Sequence, residues 1–209
     1  MTPTPSLAPA AGRGSGGAVR ASGLRYGGVP VPYTVAWTGE AETRVDRCVY
    51  SGARAICQAV APGVGKPLFG TPHSQRQREA IARDLCDLCA RPLRNRTKVS
   101  LSHARPQSHG AEGVAILQLE ALLHRECAAE SLRHCPSLKA DVAKGTLRVR
   151  QVLHHRCQMA ILRPQFIGQY VPGYEARPDD RIVGHAKVEL LRWIDRDAAW
   201  LTPEPGHAR

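Results

Sequence analysis

The clearest chemistry in this chain lies in two short cysteine spacings. Cys86 and Cys89 form a Cys-x-x-Cys pair, and after 34 intervening residues His124 and Cys127 form a His-x-x-Cys pair. A tetrahedral metal site needs four deprotonated soft or borderline donors, and each short x-x loop lets a pair grip the ion from one side. The four residues therefore read as a Cys3His ligand set for a structural Zn2+. With all four positions filled by protein, no open position is left for a catalytic water. His134 or Cys135 is the competing choice for the place of His124.

A second candidate chemistry is phosphate contact. Arg91, Arg94, Arg96 and Lys98 crowd the loop after the first cysteine pair, and Arg76 and Arg78 precede it on a helix-like run where, with Arg83, they are expected on the solvent side. Guanidinium groups fork onto phosphate oxygens, so these six residues are the candidate nucleic-acid contacts. A third candidate is His103 in Leu101-Ser102-His103-Ala104-Arg105-Pro106, which loosely resembles the base-bearing strand of His-Asn-His nucleases. There His103 would activate water against a phosphate held by a divalent metal. No Asp or His directly precedes it, the middle Asn is missing, and Ala128 stands where a last metal-binding His should follow Cys127. The Gly65-Lys66 step lacks the full phosphate-loop spacing, and Pro67 occupies the place of the magnesium-binding hydroxyl, so no nucleotide cofactor is expected. Cys48 and Cys57 read as small buried hydrophobes. Cys135 is expected to stop a helix before Pro136, and Cys157 with His154 and His155 to lie in a surface turn.

The elements that must position these groups follow from periodicity and turn chemistry. Residues 1–32 are rich in Gly, Ala, Pro, Ser and Arg and read as a disordered tail on which Arg13, Arg20 and Arg25 are spaced. Tyr33, Val35 and Trp37 alternate as a first strand. Thr71-Pro72 reads as an N-cap and first helical position, opening a helix over His73 to Leu85 with Ala80, Ile81 and Leu85 on one face. Val99 and Leu101 mark a strand, 114–123 a buried strand or helix, and Ala128 to His134 a short helix after Cys127. Leu147 and Val149 alternate with Arg148 and Arg150 as a half-exposed strand. Met159 to Val171 supplies its hairpin partner, with the turn near His154 to Cys157. Val183, Lys187, Leu191, Ile194 and Ala198 have helical spacing, predicting a C-terminal helix over roughly 180–200. The fold class is thus α+β, a zinc-binding domain over 33–145 followed by a β-hairpin and C-terminal helix over 146–202 on the same core.

Composition sets the frame. The chain has 209 residues, 43% hydrophobic and only 5% aromatic, so its core is modest and a metal is a plausible supplement. Its formal charge is +11, spread as +3 over 1–33, +6 over 34–149 and +2 over 150–209, without one dense basic block. That balance leans towards polyanionic partners. Seven cysteines, four of them in the metal pattern, and an N-terminus without a leader pattern point to a reducing cytoplasm. No apolar run approaches the roughly 18–20 residues needed to span a bilayer.

Three runs together carry a resemblance: Lys66-Pro67-Leu68-Phe69-Gly70-Thr71-Pro72-His73-Ser74-Gln75-Arg76-Gln77-Arg78, Leu85-Cys86-Asp87-Leu88-Cys89-Ala90-Arg91-Pro92, and His124-Arg125-Glu126-Cys127 with Leu132-Arg133-His134-Cys135-Pro136. They resemble a family of uncharacterised zinc-finger-like proteins of streptomycetes and actinobacterial phages, over about residues 30–200. The resemblance implies a treble-clef zinc fold and a phage, mobile-element or regulatory setting, and no established activity. The chain departs from that pattern at Ala90, where the knuckle commonly has glycine. The function expected is a non-enzymatic, zinc-stabilised module binding nucleic acid. The alternatives are a regulator that docks a host or phage protein through its C-terminal hairpin and helix, which exposed apolar area on Trp193 and Trp200 would favour although their default place is the core, and a degenerate nuclease using His103.

Overall fold

Short apolar runs broken by Gly and Pro favour strands over long helices, and sheet dominates the computed structural model, which describes residues 23–108 and 113–202. Two-residue strands β1 (Arg25–Tyr26) and β2 (Val29–Pro30) form a hairpin inside the segment read as tail. Arg13 and Arg20 lie outside the described residues. Then come β3 (Val35–Trp37), β4 (Thr43–Cys48), β5 (Ala53–Gln58), β6 (Pro67–Pro72) and helix α1 (Ser74–Ala82). The middle of the chain gives β7 (Lys98–Ser102), β8 (Gln107–Ser108), β9 (Val114–Gln118), β10 (Leu123–His124), α2 (Arg125–His134) and α3 (Pro136–Ala143). The last part gives β11 (Arg148–Leu162), α4 (Pro164–Tyr170) and β12 (Ile182–Arg196). The class is α+β, with four α-helices among the described residues.

One eight-stranded sheet organises the molecule, with the path β10-β7-β11-β12-β5-β4 and with β9 and β8 attached beside β12. The long pair β11 and β12 is antiparallel from Val149↔Arg196 to Leu162↔Ile182. The outer side of β12 is shared: Val183 pairs in parallel with Ala55 of β5, and Val188 to Leu190 pair with Gln118 to Ile116 of β9. A smaller sheet joins β3 to β6. The main core gathers Ile116, Leu122, Leu123, Val149, Val188 and Leu190 with Cys86 and Cys127, so the cysteine region is built into the largest apolar cluster.

Four expectations are corrected. The segment with helical spacing near the C-terminus is the strand β12; its first nine residues, Ile182 to Leu190, are almost continuously buried, and such a run fits a helical period as well as a strand's. The turn expected at His154 to Cys157 is absent, because β11 runs straight through it; irregular register between Val152 and His155 marks the place instead. Pro164 then opens α4, where a strand was expected. Helix α1 begins two residues later than Thr71-Pro72 implies: His73 is its N-cap, its Nδ1 accepting from the Arg76 N–H at 3.2 Å. Pro136 does end α2, and it also starts α3, which the sequence reading did not foresee.

Candidate metal centre and the basic residues around it

The residues 84–93 fold into a tight knuckle. Leu85 and Pro92 form a bridge, the Cys86 N–H donates to the Arg91 carbonyl at 2.9 Å, and the Ala90 N–H to the Cys86 carbonyl at 2.8 Å. Closing so short a loop demands left-handed backbone. The non-glycine residues with positive φ among those described are Asp84 (54°), Ala90 (52°) and Asn95 (59°), all in or just after this loop. Two outside contacts hold the knuckle to the core: the Asp87 N–H donates to the Leu122 carbonyl and the Tyr33 N–H to the Asp87 carbonyl, both at 2.8 Å.

The second half comes from the junction of β10 and α2. β10 pairs with β7, Lys98 facing His124 across the ladder. His124 is the N-cap of α2 and Cys127 its third residue, where unpaired helical N–H groups favour a thiolate. The result brings all four predicted ligands together: one donor atom from each of Cys86, Cys89, His124 and Cys127 lies within 4.8 Å of every other. This cluster can hold a metal ion. His134 and Cys135, the alternatives to His124, are not part of it, and His134 instead pairs with Glu130 at 3.1 Å.

The ring of His124 is already set. Its Nε2 lies 3.0 Å from the Pro92 carbonyl, which fixes the proton there and leaves the Nδ1 lone pair facing the sulfurs, 3.5 Å from Cys89 Sγ and 3.8 Å from Cys127 Sγ. The sulfurs are electrostatically unequal. Hydrogen bonds from Cys127 and Cys86, helped by Arg91 Nε at 3.4 Å, hold the Cys89 thiol far below its usual range. Donation to Cys86 and Cys89 pushes Cys127 up. Cys86 receives from Cys127, but the Cys89 contact and burial outweigh this and push it up to about 11. Three sulfurs this close cannot all be thiolates without a cation among them.

The basic residues divide sharply. Arg91, Arg94 and Arg96 are exposed beside the cluster; Arg96 reaches Glu126 at 3.8 Å, and half-buried Lys98 pairs with Asp84 at 2.5 Å. Arg76 and Arg78, expected on the solvent side, are instead buried at 4% and 0% exposure. Arg76 forks onto Glu40 (Nη2 to Oε2, 2.8 Å) and donates to the Tyr33 and Val35 carbonyls, and Glu40 also accepts the Trp37 and Ala61 N–H groups. Arg78 donates to the Gly184 and Ile56 carbonyls and contacts Cys48 Sγ. Between them Gln77 accepts the Ala186 N–H at 2.9 Å and donates to the Ala186 and Leu119 carbonyls. Helix α1 thus turns its polar side inward and satisfies backbone groups that the sheet leaves open. Arg83 alone of the three helix arginines is exposed, paired with Glu79.

His103 sits just past the end of β7 with Nε2 3.2 Å from Asp141. Cys48 and Cys57 are buried, Cys157 is exposed. Trp193 and Trp200 are partly buried against the main core, and Trp200 lies under the guanidinium groups of Arg125 and Arg196, 4.7 and 5.2 Å from the ring centre. An apolar groove of about 560 Å³, lined by Tyr26, Phe69, Leu88 and Leu138 among others, runs beside the knuckle and had no sequence signal. Among the described residues no helix is long and apolar enough to cross a membrane. No protein-family model, curated protein or solved structure matches this chain.

Proposed function

We propose that the chain is a non-enzymatic binding module stabilised by one structural Zn2+ on Cys86, Cys89, His124 and Cys127, presenting its arginine loop to nucleic acid. The observation that carries the metal is the donor cluster itself. For Zn–S near 2.3 Å and Zn–N near 2.05 Å, a tetrahedron has S···N edges of roughly 3.6 Å, and those from His124 Nδ1 are 3.5 and 3.8 Å. A knuckle facing the first turn of a helix across a strand pair also suits the treble-clef arrangement. Three thiolates and one neutral imidazole on a divalent ion leave a net charge of about −1, which the exposed guanidinium of Arg91 partly offsets.

The nucleic-acid surface is narrower than the sequence reading made it. Arg76 and Arg78 belong to the interior, so the contact set is Arg91, Arg94 and Arg96 with Lys98 at its edge. Fluorescence anisotropy with labelled duplex and single-stranded DNA and RNA tests this. Binding should weaken as salt rises, and the Arg94→Ala, Arg96→Ala double variant should reduce the log–log salt slope by about two. Binding that is absent, or insensitive to salt, would remove nucleic acid as the partner.

A further inference from the structure

Two arginines of β11 meet different fates. Arg148 is exposed, while Arg150 on the same strand face is 2% exposed. A guanidinium has five N–H donors and stays charged, so its burial calls for partners. Arg150 Nη2 donates to the Ala104 carbonyl at 2.8 Å, but among the described residues Nε and Nη1 have no hydrogen-bond partner. Its counter-charge is Asp195, directly across on β12, with Oδ1 3.4 Å from Nε and the carboxylate side chain 72% exposed. A contact so long and so solvated neutralises little.

Positive charge accumulates around it. Arg105, next in the chain to Ala104, is tied down by Nη1 donating to the His103 carbonyl at 2.9 Å and Nη2 to the Thr146 carbonyl at 3.0 Å. Burial lowers the pKa of Arg150; Asp195 opposes this, and the charges of Arg105 and Arg148 add to it. Among the described residues, the carboxylate paired with Arg150 is the well-hydrated Asp195, and Asp141 is engaged by His103.

We infer that Arg150, with Arg105 and Arg148, forms a receptor for one tetrahedral oxyanion, a phosphate or phosphate ester, whose oxygens take the free Nε and Nη1 hydrogens in place of Asp195. A guanidinium fork matches phosphate geometry, and the exposed side chains of Arg148 and Asp195 can move to admit the ion. The site uses none of the metal ligands and none of the Arg91 to Lys98 loop, so it stands apart from the function proposed above.

Inorganic phosphate titrated at constant ionic strength, read by thermal shift and calorimetry, tests it. Saturable binding is expected. It should weaken about tenfold in the Arg105→Met, Arg148→Met double variant, which changes exposed side chains only, and tighten in Asp195→Asn, where the competing carboxylate is gone. A 5′-phosphorylated dinucleotide and its unphosphorylated twin form a second arm: tighter binding of the former than of free phosphate assigns an ester as ligand, and equal binding assigns the free ion. No saturable phosphate effect, or binding weakened by Asp195→Asn, overturns the assignment and leaves Asp195 as the true partner of Arg150. Oligonucleotide binding through Arg94 and Arg96 is read separately, so either result can fail alone.

Discussion

At the scale of single residues, Ala90 and His73 each hold a conformation or a charge state that its type does not favour. Ala90 closes the knuckle at φ 52°, and a left-handed L-residue costs about 1–2 kcal/mol, part of which glycine recovers despite its freer unfolded chain. Ala90→Gly should therefore raise stability by roughly 0.5–1 kcal/mol in urea melts at saturating metal; a loss would mean the Ala90 methyl packs usefully. His73 is fully buried, with Nε2 2.9 Å from the Ala59 carbonyl. Burial first, and then the charge of Arg76, depress its pKa to about 4. Because the folded value lies below the unfolded one near 6.5, the unfolded chain takes up the proton first. The stability it contributes is thus complete above about pH 6.5 and is lost as pH falls towards 4, by roughly 3 kcal/mol over the window. Stability measured by urea between pH 7 and 4.5 should fall less steeply in His73→Gln than in the wild type, while acid release of metal acts on both. Identical slopes would show that His73 does not titrate in this way.

Among the elements, α1 is the one whose reading the structure reverses. The usual inference that polar residues on a helix face water failed because Arg76, Gln77 and Arg78 meet carbonyls and amides that no strand reaches. Replacing Gln77 by Leu removes its two donations, to the Ala186 and Leu119 carbonyls, and leaves the Ala186 N–H unpaired in the interior, so a loss of about 2–4 kcal/mol is expected in chemical denaturation. A loss below about 0.5 kcal/mol would mean water replaces the amide. Strand β12 misled for a different reason. Ile182 to Leu190 is packed on both faces and so lacks the strand's alternation. The donor cluster was legible because two x-x spacings encode each half of its geometry locally, without needing the fold. Arg150 was not: its alternation with Val149 said exposed, whereas in the fold β11 lies between β7 and β12 and Arg150 Nη2 reaches the Ala104 carbonyl.

For the molecule as a whole, the donor cluster links the knuckle, the β7–β10 pair and α2, all of which contribute to the main core. Structural zinc binding is worth about 10 kcal/mol or more, comparable to the whole stability of a domain this size. Complete removal by a strong chelator should abolish near-UV circular dichroism and expose amides over 70–140 to exchange, with one metal ion per chain lost; native-like spectra after removal would make the cluster a set of core cysteines. The order of β12 in the chain has a consequence for synthesis. It follows every other described strand in the sequence yet lies inside the sheet, between β11 and the pair β5 and β9. A growing chain therefore holds all four clustered donors some 55 residues before the strand that receives Gln77 and Arg78 is available. Long-range pairing of this kind is slow, so the four donors can assemble before the sheet closes, and a chain stalled before residue 182 would leave Gln77 without the Ala186 backbone and Arg78 without the Gly184 carbonyl.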